Sequence, residues 1–450
     1  MQNQPIRSRA KNSTYWVTSG YVISQFLRLL SNLLMTRLLV PEMFGVMALV
    51  TVFMSGISMF SDVGLQQNIV QSKRGESQIY LNTAWTIQIL RGFCIFLIAL
   101  FISYILFYLN KSNFLPADSV YADPSLPLLL AFMSSTALIG GFNSINLQLL
   151  NRKLMISKVT IIEMMSQIIG LTAMLLIAFY WREVWVLVIA GIVSALVKML
   201  LSHHNSLGRK PSFALDKASV KEIVGFGKWI FLGSIIGFFL SQGDRLLLGG
   251  LINSELLGIY SIAFFMANAL KGALKKLISA VFYPMLSEIV RDNPDKLKQI
   301  YYRLRLRIDF ITMSVSGILA SSGSHIINFL YDDRYEQAGW MFEMLSISLI
   351  FVGFSLAGAC LMARGNAKSH ALLIFFVVVF LYIGVPVGFH LYGLIGAIFI
   401  IAINYIIDIP STFYMMHKEK LLDIKREFIM LPLFPITYFL TSFLLTLFPA

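Results

Sequence analysis

Among the ionisable side chains inside the long apolar stretches of this chain, seven point most directly to its chemistry. Arg28, Arg245, Lys271, Lys275 and Lys276 are cations; Asp62 and Asp244 are acids. A charge at the centre of a bilayer costs about 2.5–3.5 kcal/mol even on the gentlest scale. Such groups persist where they meet water, a ligand or one another. Five cations against two acids leave an excess of positive charge. Fixed cations in a low-dielectric chamber attract an anion. Arg grips phosphate oxygens with two parallel bonds, and Lys acts as a movable point charge. The expected ligand therefore carries phosphate or another acidic group. Mutual neutralisation, of Arg245 by Asp244 and of one lysine by Asp62, is the competing reading.

Helical spacing collects these residues on faces. At about 100° per residue, Thr18, Tyr21, Ser24, Gln25, Arg28, Ser31, Asn32 and Thr36 fall in one arc of about 140°. Thr51, Ser55, Ser58 and Asp62 share a second face, and Ser234, Gly237, Ser241, Asp244 and Arg245 a third. Ser261, Asn268, Lys271, Lys275 and Ser279 share a fourth. Gln25, Asn32 and Asn268 would supply neutral hydrogen bonds beside the cations. Asp62, Asp244, Glu163 and Asp408 are candidates for ion coupling. Glu163, Asp309, Glu343 and Asp408 could relay protons or bind Na⁺, and each suits a hydrogen bond between helices equally well. Asn143, Asn146 and Gln148 are expected to bond between helices, and Arg91 to reach the nearby interface.

These faces need membrane helices to carry them. The chain has 450 residues, of which 57% are hydrophobic and 13% charged. A soluble domain could not hide that much apolar surface. Two cysteines exclude a disulfide scaffold and a thiolate metal cluster. Apolar runs of crossing length lie at 15–39, 43–66, 84–108, 126–150, 155–179, 184–203, 228–252, 257–282, 306–330, 339–362, 370–390, 393–416 and 428–448. All should be helices, because a helix satisfies its own backbone in lipid. With the N-terminus inside, the inside segments hold 25 of the 36 Lys and Arg residues and the outside loops hold 3. That bias sets a cytoplasmic N-terminus. It also accounts for most of the net charge of +13 without nucleic acid.

The sequence repeats itself at an offset of 213. Trp16, Gly20, Ile23, Leu27, Leu33, Leu34, Leu38, Glu42 and Gly45 meet Trp229, Gly233, Ile236, Leu240, Leu246, Leu247, Leu251, Glu255 and Gly258. Phe26 also meets Phe239, which makes ten identities in 30 ungapped positions. The offset spans an even number of helices, so both copies point the same way. The expected architecture is an all-α polytopic membrane protein with two six-helix lobes in parallel repeat. The lobes would be 1–203 and 228–416, joined by a cytoplasmic linker at 204–227 and followed by an extra C-terminal span within 417–450. Parallel halves suit alternating access around a shared aqueous chamber.

Several short motifs resemble one family. Arg37-Leu-Leu-Val-Pro-Glu-Met-Phe-Gly45, Ser61-Asp-Val-Gly-Leu65 with Gln71, and Asn151-Arg-Lys-Leu154 with Glu163 are similar to its first-lobe patterns. Asp244-Arg-Leu-Leu-Leu-Gly249, Glu255-Leu-Leu-Gly-Ile-Tyr-Ser-Ile-Ala263 and Phe282-Tyr-Pro-Met-Leu-Ser-Glu288 resemble its second-lobe patterns. The family is the polysaccharide transporter branch of the multidrug/oligosaccharidyl-lipid/polysaccharide exporter superfamily. The resemblance covers about residues 15–420. It implies a multi-pass flippase of the bacterial inner membrane, moving undecaprenyl-diphosphate-linked oligosaccharides for O-antigen, capsule or exopolysaccharide assembly. It also implies a cavity lined by basic residues, at places where Arg28, Arg245, Lys271 and Lys275 stand.

The implied partners are the lipid-linked oligosaccharide, the bilayer and a polysaccharide polymerase or export complex. Neither nucleic acid, nor a cofactor, nor a catalytic reaction is expected. The chain has no phosphate-binding glycine loop, acyl-transfer constellation or metalloprotease motif. Rival readings are a drug or cation antiporter of the same superfamily, which would favour an acidic cavity, and a major-facilitator anion porter. The latter usually carries a Gly-x-x-x-Asp-Arg loop between spans 2 and 3, which 63–77 lacks.

Overall fold

The computed structural model describes residues 6–204, 210–364 and 367–447. Arg209 lies outside them, as do the side chains of Arg7, Arg9, Lys11, Trp229 and Lys368. Every regular element among the described residues is helical. Nine helical runs among them are long and apolar enough to cross a membrane; counting each of two bent helix pairs as one span gives up to eleven. Each expected apolar run falls on a helix or on one of these pairs, but the helix under 15–39 is not among those counted as apolar enough to cross.

The chain forms two compact units, Met1–Gly258 and Ile259–Ala450. In the first, α1 (Ile6–Leu38) packs on α8 (Ile156–Tyr180), which packs on α9 (Trp185–Ser202). Helix α2 (Pro41–Phe60) lies against α5 (Leu126–Met133) and α10 (Lys217–Leu251). Helix α3 (Leu65–Gln71) is short and leads to α4 (Gln78–Lys111), which packs on α5 and α6 (Ser135–Gly141); α7 (Asn146–Arg152) precedes α8. Pro41 opens α2, where its missing N–H has no partner to lose, and Glu42 sits in the first turn, where the helix dipole favours an acid. A Cβ at Gly45 would collide with the Ser254 carbonyl, and one at Gly258 with the Pro41 carbonyl. The two repeat-related glycines thus let two backbones touch reciprocally, and no larger residue fits.

The segment before α10 is held along α4. The N–H groups of Ser212, Ala214 and Asp216 donate to Asn82 Oδ1 (3.2 Å), Thr86 Oγ1 (3.1 Å) and Thr83 Oγ1 (3.1 Å). Alternate residues point the same way in an extended chain, so every second N–H reaches the α4 surface. Asp216 then caps α10, accepting from the Ser219 N–H (3.0 Å) and hydroxyl (2.6 Å) and pairing with Arg74 (3.0 Å).

Helix α11 (Ser254–Leu277) begins in the first unit and continues in the second, where a π-helical turn, Ile278–Phe282, follows it before α12 (Tyr283–Asp292). Pro284 explains the widened turn: it has no N–H to offer and its ring crowds the carbonyl of residue 280. Helix α13 (Leu297–Leu330) packs on α14 (Ala338–Ser346), α15 (Val352–Ala363) and α19 (Leu433–Leu447). The long run α16 (Ala367–Ile403) reverses direction at Tyr392 and Gly393. Gly388 and Gly396 meet backbone to backbone, which two residues eight apart in one continuous helix could not do. It is therefore two antiparallel arms, matching the separate runs expected at 370–390 and 393–416. A 3-10 turn, Asn404–Ile407, leads into α17 (Asp408–Lys418), and α18 (Ile424–Phe428) precedes α19.

A buried charge cluster ties α13 to the chain after α17. Arg305, Asp309 and Glu427 are all shut off from solvent. Arg305 Nε lies 2.6 Å from Asp309 Oδ2, and its Nη2 lies 3.4 Å from Glu427 Oε2. Both Tyr301 and Tyr302 donate their hydroxyls to Glu427 Oε1 at 3.0 Å. The guanidinium stacks on Phe354, 4.1 Å from the ring centroid. Asp309 was a candidate proton or Na⁺ site by sequence; its carboxylate here pairs with Arg305 one helical turn away.

Two outcomes follow from these contacts. Replacing Arg305 by Met strands two carboxylates and should cost about 3–5 kcal/mol. Glu427→Gln leaves one balanced pair and should cost less than half as much. Thermal unfolding of the purified protein in detergent measures both, and equal losses would contradict the charge argument. Second, the Ser219 hydroxyl and Arg74 hold the Asp216 carboxyl at about 2, below its ordinary value near 3.8. The cap is therefore at full strength above about pH 4 and is lost as pH falls through about 2. Proteolysis within 204–216 should rise across that window, and Asp216→Asn should show the same exposure at neutral pH.

Candidate functional site

Helix α1 shows most plainly how a polar face is placed. Its large exposed apolar side chains are Val22 (56%), Ile23 (42%), Phe26 (63%), Leu30 (44%) and Leu34 (41%). Arg28 is exposed as well, but these residues lie about 120–160° away from it around the helix. It therefore belongs to the polar arc and not to the apolar one. Its side chain makes no ion pair among the described residues. Its neighbours on the arc are hydrogen-bonded: Gln25 Nε2 donates to the Tyr21 hydroxyl (2.7 Å), and the Ser24 hydroxyl donates to Gln167 Oε1 on α8 (2.7 Å). Gln25 Oε1 is buried with no hydrogen-bond partner. Asn32 is half-buried on the same arc.

The acids of this unit are engaged locally. Asp62 Oδ1 accepts the Gly64 N–H at 2.9 Å, and Gly64 has φ +60°. The carboxylate thereby forms the sharp turn from α2 into α3. Arg91 lies 3.9 Å from Asp62 and donates to the Ser58 carbonyl (2.8 Å) and the Ser61 hydroxyl (3.2 Å). It satisfies the open end of α2 where the sequence suggested simple reach to the interface. Glu163 pairs with Lys198 at 3.0 Å. Asp244 is buried, and Arg245 reaches Gln242 Oε1 on its own helix at 3.4 Å.

In the second unit, the four-residue spacing of Lys271 and Lys275 brings both to one side chain. Their Nζ atoms lie 5.1 Å and 4.9 Å from the centroid of the Tyr405 ring. Lys275 Nζ also donates to the Tyr405 hydroxyl at 3.3 Å. Both lysines are half-buried. Lys276, one residue on, is exposed and turned about 100° away. The Asn268 amide donates to the Phe264 carbonyl of its own helix (2.9 Å). Asp408 is half-buried in the first turn of α17. Glu343 accepts the Ser324 N–H at 2.8 Å, a bond between helices.

Sequence reasoning missed Tyr405, Gln167 and Glu427. Polar periodicity is a within-helix signal, and each of these acts on a helix distant in sequence. A trace of Tyr405 was present: Asn404, Tyr405 and Asp408 interrupt an otherwise apolar run shortly before Pro410.

The chain is similar in sequence and fold to several known proteins. A family model described as "Polysaccharide biosynthesis protein" matches residues 34–340. The lipopolysaccharide biosynthesis protein WzxC of Escherichia coli (strain K12) is 21% identical over 431 residues, covering 94% of this chain and 84% of that one. The solved structure of the lipid II flippase MurJ in an inward closed conformation superposes with a TM-score of 0.67 at 16% identity, covering 96% of this chain and 93% of that one. An inward-facing multidrug resistance transporter of the MATE family, in the MOP superfamily, also reaches 0.67 at 15% identity, with 88% and 95% covered. The fold is thus that of MOP-superfamily transporters, and the chain is a multi-pass membrane protein that belongs to the polysaccharide biosynthesis protein family.

Proposed function

We propose that the protein is a flippase that moves undecaprenyl-diphosphate-linked oligosaccharide repeat units from the cytoplasmic to the periplasmic leaflet of the bacterial inner membrane. The units would serve O-antigen, capsule or exopolysaccharide assembly. The observation that carries this reading is the set of intramembrane cations on polar faces, within a chain of the polysaccharide biosynthesis family. Arg28 stands on the arc opposite the apolar side chains, and Lys271 and Lys275 meet at one tyrosine. A diphosphate is the group such cations attract. The names of WzxC and MurJ, a lipopolysaccharide biosynthesis protein and a lipid II flippase, accord with it. The MATE likeness shows that this fold also serves multidrug transport, but an exporter of organic cations gains nothing from Arg28, Lys271 and Lys275.

In this reading 1–203 and 228–416 are the two lobes of an alternating-access cycle, 204–227 joins them and 417–450 adds a span. The excess of Lys and Arg on one side sets the N-terminus in the cytoplasm. Arg28 and Arg245 in the first unit and Lys271 and Lys275 in the second supply the positive charge, with Lys276 turned away from its two neighbours and Gln25, Asn32 and Asn268 as neutral donors and acceptors. The chain itself catalyses no bond change. The polyprenyl tail stays in lipid while the headgroup crosses. An anion leaving a cell that is negative inside gains about 2.3 kcal/mol per charge per 100 mV. Asp62, Asp244, Glu163 and Asp408 remain the acids through which an ion could couple, Asp62 and Glu163 after release of Gly64, Arg91 and Lys198. A polymerase or export complex would receive the flipped unit.

A deletion strain should accumulate lipid-linked oligosaccharide and lose polymer. Arg28→Ala and Lys275→Ala should each lower surface polymer by at least about tenfold, the scale of one charge-assisted bond, with normal membrane insertion by immunoblot. Wild-type polymer in both variants would overturn the assignment.

A further inference from the structure

Two lysines one helical turn apart repel each other, and like charges at that spacing destabilise a helix. Lys271 and Lys275 nevertheless both approach Tyr405, at 5.1 Å and 4.9 Å from the ring centroid. The negative face of an aromatic ring attracts ammonium groups, most strongly where water is scarce. The hydroxyl adds a hydrogen bond to Lys275 at 3.3 Å. Among the described residues no carboxylate lies within ion-pair distance of Lys275.

The backbone around the ring is irregular on both sides. Tyr405 sits in the 3-10 turn Asn404–Ile407, between α16 and α17. The π-helical turn Ile278–Phe282 begins three residues after Lys275. Irregular backbone at membrane depth is tolerated where it is buried in protein or lines a water-filled cavity. Asn404, next to Tyr405, is 7% exposed and its Oδ1 has no hydrogen-bond partner. The turn that carries Tyr405 thus holds a buried amide oxygen whose hydrogen-bonding capacity is unused.

We propose that Lys271, Lys275 and Tyr405 form one subsite for a phosphoryl group of the lipid headgroup, with Tyr405 as the positioning residue. The ring holds both ammonium groups on one locus, so that they meet the same phosphoryl oxygens. The subsite lies wholly within Ile259–Ala450. The lipid source rests on the flippase reading; the anion chemistry does not.

The test uses full-length protein in phosphatidylcholine nanodiscs, with farnesyl diphosphate, inorganic pyrophosphate and farnesol as probes. Wild type should bind farnesyl diphosphate, bind pyrophosphate more weakly, and not distinguish farnesol from buffer. Tyr405→Leu should weaken farnesyl diphosphate binding by about tenfold, and Tyr405→Phe by no more than about threefold, because the ring remains. Tyr405→Met replaces the leucine variant if that one fails to fold. Adding Tyr405→Leu to Lys275→Met should cost less than about threefold beyond Lys275→Met alone. Unchanged binding in Tyr405→Leu, equal losses in the leucine and phenylalanine variants, or full additivity would each overturn the positioning role. Pyrophosphate binding as tight as farnesyl diphosphate would overturn the lipid headgroup as occupant. A deletion strain with normal polymer would instead remove the transport reading and leave this binding result standing.

Discussion

The cost of placing charge in hydrocarbon governs this molecule. Each ionised group inside a span must be offset by a partner or by water, since lipid offers neither. The charged residues of this chain are placed in two different ways. Arg305, Asp309 and Glu427 are sealed together with the Tyr301 and Tyr302 hydroxyls and the Phe354 ring. That cluster ties the C-terminal segment to α13 and leaves no space for a ligand; a Cβ at Gly353 would already collide with Asp309. Arg28, by contrast, has no carboxylate partner among the described residues and lies on a polar arc. The same constraint thus separates charges sealed against one another from a cation with no ion pair among the described residues.

The acids divide in a similar way. Asp62 and Glu163 looked alike in sequence, each a lone carboxylate in an apolar run. Their surroundings differ: Asp62 closes a turn through the Gly64 N–H, and Glu163 meets Lys198 across two helices. Neither is idle, so any ion coupling through them must compete with a bond already formed. Breaks in the helices also have local causes. Pro284 follows the π-helical turn, and Pro410 follows the 3-10 turn that carries Tyr405. In each case a missing N–H and a crowded carbonyl break the α-helical pattern of the preceding turn, widened in the first case and tightened in the second.

Much of the fold was legible because its signals are local. Length and apolarity mark the spans, and the reversal at Tyr392 and Gly393 matches the division between the runs at 370–390 and 393–416. The polar arc of α1 was readable from periodicity alone. What stayed hidden depends on contacts distant in sequence. Nothing in the run around Glu427 announces Arg305, more than 100 residues earlier. Nothing around Lys275 announces Tyr405. The linker at 204–227 read as a simple tether, yet alternate residues from 212 to 216 are bonded to Asn82, Thr86 and Thr83, and α10 already begins at Lys217. Side-chain hydrogen bonds to an extended backbone leave no periodic trace.

The central claim is that Arg28 and Lys275 face water inside the membrane while their helices' apolar arcs face lipid. Cysteine accessibility tests it directly. With Cys94→Ser and Cys360→Ala as background, single cysteines are placed at Arg28, Lys275, Phe26 and Leu30, and a charged, water-soluble methanethiosulfonate reagent is applied to inverted and right-side-out vesicles. The account predicts rapid modification of Arg28→Cys and Lys275→Cys and resistance of Phe26→Cys and Leu30→Cys, all within normally inserted protein. Resistance at the first two positions, with reaction at the others, would contradict it.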